Sequence, residues 1–355
     1  MEIKNIEISA IDLFCGIGGL SYGLNKSGIK VKAGIDIDTT CEYPFKENIQ
    51  ADFIGKDIST ISGNYLLSKY WKNKSEIKIL VGCAPCQPFS THSNKKKDKE
   101  YDPKWDLIKQ FQRLIKETIP EIISMENVPN LANQNIFNEF KSFLIENNYN
   151  VYFEKVYLPN YGLPQKRRRL VLLASRFGEI KLTPPTHNQN NYKTTKDVIG
   201  NLPPVKAGEI HKDDPLHRTT KLSPINIKRI KSSKPNGTWL DWDESIRLKC
   251  HKKPSGQTYK SVYGRMSWDE PSPTITTQFY NFGTGRFGHP TQDRALTIRE
   301  AALLQTFPKD YIFYKEEEDI KLTKIGVHIG NAVPVDLGFI IGKSILQHLK
   351  DIDNG

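Results

Sequence analysis

The largely apolar run Ile77 to Val81 ends in Gly82-Cys83-Ala84-Pro85-Cys86-Gln87-Pro88-Phe89-Ser90, and this junction constrains the fold more than any other stretch. The run reads as a buried strand. Two prolines beyond it stiffen the turn, which places Cys86 on a short strand-end loop of fixed shape. A thiol in that position is where an α/β protein keeps a nucleophile. An isolated cysteine is more often an inert, buried one. The neighbouring motifs decide between the two readings.

Residues Ile8 to Phe14 form another apolar run, followed by Gly16, Gly18 and Gly19 and then by helix-like spacing through Leu20 and Leu24. A strand, a glycine turn and a helix make a floor on which a cofactor can approach the backbone closely. Gly-x-Gly-Gly alone equally describes an ordinary tight turn. Val31 to Ile35 make a second strand closing on Asp36. A carboxylate there can accept hydrogen bonds from a ribose diol, and Ile37 can cover an adenine face. Asp38 offers the same chemistry, and a surface or capping role is open to either acid. Asp57 and Ile58 sit at a further strand-end turn, where a carboxylate can receive an adenine amino group; plain loop residues look the same.

Leu107, Ile108, Phe111, Leu114 and Ile115 recur at helical spacing. Glu121 to Met125 make the next strand, which closes on Glu126-Asn127-Val128-Pro129. An acid at that strand end can donate a proton to a ring nitrogen, or can serve as a surface or cap carboxylate. Val151 to Leu158 and Leu170 to Ala174 look like a late strand pair. Between them lie four consecutive cations, Lys166 to Arg169, which cannot all be buried without partners. They read as a solvated turn, or as a mixture of phosphate clamp and internal ion pairs.

The net charge of +11 suggests a polyanionic partner, and the excess is regional. Residues 206–265 carry 14 Lys or Arg against 6 Asp or Glu, a net of +8. Trp239, Trp242, Tyr259 and Tyr263 interleave with those cations, as in a nucleic-acid contact surface; paired tryptophans equally make a small core. Five cysteines in 355 residues make no disulfide framework, and no signal peptide or membrane-length apolar run is apparent. Cys83 and Cys86 find no second cysteine pair to complete a zinc site.

Five motifs occur in order: Asp12-Leu13-Phe14-Cys15-Gly16-Ile17-Gly18-Gly19, Pro85-Cys86-Gln87, Glu126-Asn127-Val128, the Gln165/Arg167/Arg169 pattern, and Gly330-Asn331-Ala332-Val333-Pro334. The set spans nearly the whole chain and resembles the DNA (cytosine-5) methyltransferases of bacterial and phage restriction-modification systems. The resemblance implies an α/β fold: a Rossmann-like S-adenosylmethionine-dependent methyltransferase domain with a second, smaller target-recognition domain. Residues 1–182 with 325–355 would make the first, and residues 183–324 the second.

The same resemblance implies roles for particular residues. Cys86 would be the nucleophile, flanked by Pro85 on the cofactor side and by Gln87. Glu126 would hold N3 and the exocyclic amine of a flipped cytosine, Arg169 its O2, and Arg167 would order the catalytic loop. Phe14, Gly16, Gly18, Gly19 and Leu20 would form the loop under S-adenosyl-L-methionine, with Asp36 on the ribose and Ile37, Asp57 and Ile58 around the adenine. Asn331 and Val333 would lie beside the methionine portion. The family's usual ribose acid is Glu; Asp36 is one methylene shorter and would reach through a water. S-adenosyl-L-homocysteine would leave as product, and no metal is expected. Double-stranded DNA would be the substrate and a monomer the working form, either beside a separately encoded restriction endonuclease or as an independent methyltransferase; the few cysteines and the lack of a signal peptide point to the cytoplasm. One family branch methylates transfer RNA instead, and an inactive DNA-binding homologue would keep the same fold.

Overall fold

A computed structural model describes residues 6–73, 75–85, 105–256, 258–316 and 320–354. The chain divides into two compact units: Met1–Tyr161, Arg168–Thr186 and Val333–Gly355 in the first, Gly162–Arg167 and His187–Ala332 in the second. The first unit is therefore assembled from both ends of the chain. Its boundaries fall at 186 and 333, where the sequence suggested 182 and 325. Residues 325–332 stay with the second unit because their helix packs there: a Cβ on Gly330 would come within 2.4 Å of the Thr277 nitrogen.

The first unit is built on β1 (Ile8–Leu13), α1 (Gly19–Ser27), β2 (Lys30–Asp36), α2 (Glu42–Ile49), β3 (Asp52–Gly55), α3 (Gly63–Tyr70), β4 (Ile77–Gly82), α4 (Trp105–Thr118), β5 (Ile122–Asn127), α5 (Asn135–Glu146) and β6 (Asn150–Tyr157). Two-residue β7 (Gln165–Lys166) belongs to the second unit, and β8 (Arg168–Ser175) returns to the first. Seven strands form one sheet in the order β3-β2-β1-β4-β5-β8-β6. The first five strands in that order run parallel, and β8 is antiparallel to both its neighbours. Strand order reverses between β1 and β4, where Leu13 registers with Gly82. The chain thus leaves these two strand ends on diverging paths, which opens the crevice where such sheets bind ligands.

The interior strands are mostly apolar because both faces are covered; Ile11, Leu13, Ile79, Leu80 and Ile123 are all buried. The C-terminal helix, Val335–Asn354, buries Leu337, Ile341, Ile345 and Leu349, which recur every four residues along one face. It packs closely on α1, backbone against backbone: a Cβ on Gly23 would sit 2.3 Å from the Val335 carbonyl oxygen. Its far end is tied down by His348 Nε2, 2.7 Å from Ser175 Oγ. An 18-residue window within Leu322–Asn354 does have the length and mean hydropathy, 1.4, of a membrane span. However, 67% of that window is buried, and regular helix stops between Asn331 and Val335. The two halves are core helices of their respective units.

The second unit contains α6 (Thr195–Ile199), β9 (Ile210–His211), β10 (Asp214–Arg218), α7 (Pro224–Ser232), β11 (Ser272–Pro273), α8 (Ile298–Leu304) and α9 (Leu322–Asn331). After Pro271, two residues pair with β7 as β11, and Ile275 then gives its N–H to the Gln165 side chain. Trp239 and Trp242 settle as a core with Ile230, Phe282 and Ala295. With little sheet to satisfy backbone carbonyls, arginines do so. Buried Arg265 donates to the carbonyls of Ile230, Ser233, His289 and Gln292 and to Asp293. Arg294 makes a fully buried bidentate pair with Glu300, which also closes the Thr297 capping box of α8. Burial opposes the Glu300 charge, but Arg294 outweighs it and holds the carboxyl at about 2.

Candidate active site

The loop after β1 turns through three positive-φ residues, Phe14 (61°), Gly16 (52°) and Gly18 (90°). A Cβ on Gly16 would meet nothing within 4 Å, so the loop faces open space there. Gly18 caps α1, and the peptide after it starts the helix at Gly19. Leu20 is buried at 3% exposure, so what it can offer a ligand is backbone rather than side chain.

The end of β2 is joined to this loop. Asp36 accepts the Gly16 N–H at Oδ2 (2.8 Å) and the Asp38 N–H at Oδ1 (2.9 Å). A carboxylate oxygen can accept more than one hydrogen bond, so both can also receive hydroxyls. Ile37 beside it is 69% exposed, a large apolar side chain with no core to enter. Asp38 takes the capping role: it accepts from Thr40 N and Oγ1 at the start of a short 3-10 turn. After β3, Asp57 is exposed and caps the turn Ile58–Thr60 through Ser59 N (2.8 Å), which holds its carboxyl below the usual range. Ile58 is buried beneath it.

Pro85, three residues beyond the end of β4, is exposed, and the preceding Ala84 carbonyl accepts from Asn127 Nδ2 at 3.1 Å. Cys86 and Gln87 lie outside the described residues. Glu126, at the end of β5, is 2% exposed. Its Oε1 is 2.7 Å from Arg169 Nε on β8, and its Oε2 accepts from the Cys83 thiol at 2.7 Å. The Arg169 contact is an ion pair without a well-aligned hydrogen bond, which leaves Oε1 with bonding capacity. Glu126, Arg169, Cys83 and the loop after β4 therefore meet at one sheet edge.

The four cations 166–169 divide as a mixture. Lys166 pairs with Glu270 at the surface, Arg167 is buried and donates to the Ile275 carbonyl (3.1 Å), Arg168 lies over the Tyr157 ring and Arg169 holds Glu126. Arg167 belongs to the second unit, where Gln165 also accepts from it and donates to the Leu304 carbonyl and Gln305. Asn331 ends α9 in the second unit, while Val333 is buried in the first.

Three residues have a place in the site that the sequence does not reveal. Cys83 stands out in the sequence only as half of a possible metal pair. Asp12 is fully buried inside β1, accepts from Ser21 Oγ (2.6 Å) at Oδ2, and has no hydrogen-bond partner at Oδ1 among the described residues. Burial raises its pKa to about 7, assisted by Asp36 and opposed by Ser21. An acid within an apolar strand run was the available signal. Arg113, on α4, reaches the Ile58 carbonyl.

Over residues 8–347 the chain matches the family described as C-5 cytosine-specific DNA methylase. It is 49% identical over 347 residues to the type II methylase M.HgiDII of Herpetosiphon aurantiacus, covering 97% of this chain and 96% of that protein. Identity to the type II methyltransferase M.Eco47II of Escherichia coli is 31%, over 99% of this chain and 82% of the relative. Among solved structures, a protein held to be a DNA modification methyltransferase, encoded within an Escherichia coli prophage, shares the fold. Its TM-score is 0.73 at 22% identity, covering 97% of this chain and 99% of that one.

Proposed function

Because the chain belongs to the C-5 cytosine-specific DNA methylases, we propose that it methylates one cytosine of a specific duplex sequence after Cys86 adds to C6 of the flipped base. The activity itself, transfer of a methyl group to cytosine C5 in DNA, follows from the family, as does the use of S-adenosyl-L-methionine. That cofactor, when bound, supplies an electrophilic methyl group on a sulfonium. The loop fits such a ligand: it is open at Gly16, Asp36 can take two hydroxyls, and Ile37 presents an exposed apolar face.

Cytosine C5 is too weak a nucleophile unaided. Addition of the Cys86 thiolate to C6 breaks ring aromaticity and moves electron density to C5. Glu126 holds N3 and the exocyclic amine, stabilising the charge that builds there, and Arg169 braces Glu126 while reaching O2. Once C5 has bonded the methyl carbon, transfer of the C5 proton to a base or water and departure of the Cys86 thiolate restore the ring. Attack perpendicular to the ring cannot occur in a stacked duplex, so the base must be extruded at about a few kcal/mol. The observation that carries this reading is the Glu126–Arg169–Cys83 cluster at the same sheet edge as the glycine loop.

We assign catalysis to the first unit and target recognition to the second. In residues 206–265 all ten lysines are exposed, whereas none of the four arginines is. The arginines staple the fold and the lysines are available to phosphates. A cytoplasmic monomer working beside a separately encoded endonuclease of the same specificity suits the type II relatives. Bisulfite sequencing with nucleoside mass spectrometry of DNA treated with the purified protein tests the whole. We expect 5-methylcytosine at one motif; methyl groups on an exocyclic nitrogen, or in RNA alone, would refute it.

A further inference from the structure

We propose that Arg113 is a positioning residue for the adenine end of the cofactor site, holding the Asp57–Gly63 turn in shape from α4. The proposal rests on the reading of Asp57 as an adenine contact.

On α4, Ile108, Phe111, Leu114 and Ile115 are buried, while Gln110, Arg113 and Glu117 recur three and four residues apart on another face. Arg113 uses its guanidinium in three directions. Nη2 donates to the Ile58 carbonyl (2.9 Å), Nη1 to both Glu117 oxygens (2.9 and 3.1 Å), and Nε to Gln110 Oε1 (2.7 Å). Glu117 in turn accepts the Gly63 N–H at 2.5 Å. That donor opens α3, where a helix leaves N–H groups unsatisfied and favours a negative charge. Burial pushes the Glu117 carboxyl up, but the Gly63 N–H and Arg113 outweigh it and keep it below its usual range.

One ion pair therefore grips both ends of a single turn: Ile58, next to Asp57, at one end and Gly63 at the other. The middle is set locally, with Ser59 N on the Asp57 carboxylate and Thr60 Oγ1 on the Asp57 carbonyl. Arg113 and Glu117 are about one-third exposed, 31% and 36%. As a bare ion pair they would stabilise little. A charge-assisted bond to the Ile58 carbonyl instead fixes the peptide whose other end, the Ser59 N–H, holds the Asp57 carboxylate. A lysine cannot reproduce the three-way fork.

The test compares equilibrium binding of S-adenosylhomocysteine and S-inosylhomocysteine, which lacks the adenine amino group, to the full-length protein by calorimetry. Arg113→Ala should weaken the adenosyl ligand about tenfold and the inosyl ligand far less, so their affinity ratio collapses. Glu117→Gln should shift the ratio in the same direction by a smaller factor, and it serves alone if Arg113→Ala does not fold. Arg113→Lys should recover only part of the loss. An unchanged ratio in Arg113→Ala and Glu117→Gln, with Asp57→Ala lowering it, would overturn the proposal and leave the adenine reading standing. A ratio unmoved by Asp57→Ala would remove that reading itself.

Discussion

Arg169 places its Nε 2.7 Å from Oε1 of Glu126, where β8 runs antiparallel beside the end of β5. Glu126 is buried and Arg169 is largely covered, so stranding the Glu126 charge is costly. Arg169→Ala should destabilise the protein by about 3 kcal/mol and lower kcat at least about a hundredfold. Adding Glu126→Gln to that variant should restore most of the stability in urea unfolding but none of the activity. A double variant as unstable as the single one would show that the pair is not what holds this edge.

Asp36 is bound at both oxygens to the backbone of neighbouring loops. Its short side chain keeps it against the glycine loop. Asp36→Ala should raise the Kd for S-adenosylhomocysteine about tenfold or more by removing both the loop tie and a ribose acceptor. The variant should bind the 2′-deoxy ligand no worse than the parent ligand, whereas the native protein should discriminate. Fluorescence titration of both ligands checks it.

Asp12 should make the ligand-free protein less stable as pH rises. Its folded pKa is raised from 3.8 to about 7, so the native state holds a proton that the unfolded state releases between those values. Its contribution is complete below about pH 4 and is lost as pH climbs through 7, a change on the order of 4 kcal/mol. Asp12→Asn should therefore match the native protein near pH 4 and exceed it at pH 8 in urea unfolding. Parallel pH curves for the two would contradict the assignment.

Lys228 and Lys231 lie three apart on α7, and Lys234 follows it; all three are exposed. Replacing them with Gln should lower the slope of log K against log salt for DNA binding by about one for each phosphate no longer neutralised, without changing the methylated motif. Arg265→Gln should instead destabilise the second unit, because five acceptors lose their donor.

Strand ends are legible in this chain because each apolar run is bounded by a glycine or an acid. Ile8–Phe14, Val31–Ile35, Ile77–Val81 and Glu121–Met125 coincide with β1, β2, β4 and β5 to within two residues. What periodicity cannot report is which side chain meets which across elements. Nothing in the spacing brings the Cys83 thiol to Glu126 or Arg113 to Ile58. Likewise a basic composition does not separate arginines that bind their own backbone from lysines facing solvent. The motif resemblance supplied roles that composition and spacing left open.

The central claim is a transient bond from the Cys86 sulfur to C6 of an extruded cytosine. Incubating the protein and S-adenosyl-L-methionine with a duplex carrying 5-fluorocytosine at the target position should stall the reaction after methyl transfer, since no C5 proton can leave. Peptide mapping of the trapped complex should find the base on residue 86, with Cys86→Ala giving no adduct. Attachment through any other residue, or full-rate methylation by Cys86→Ala, would contradict it.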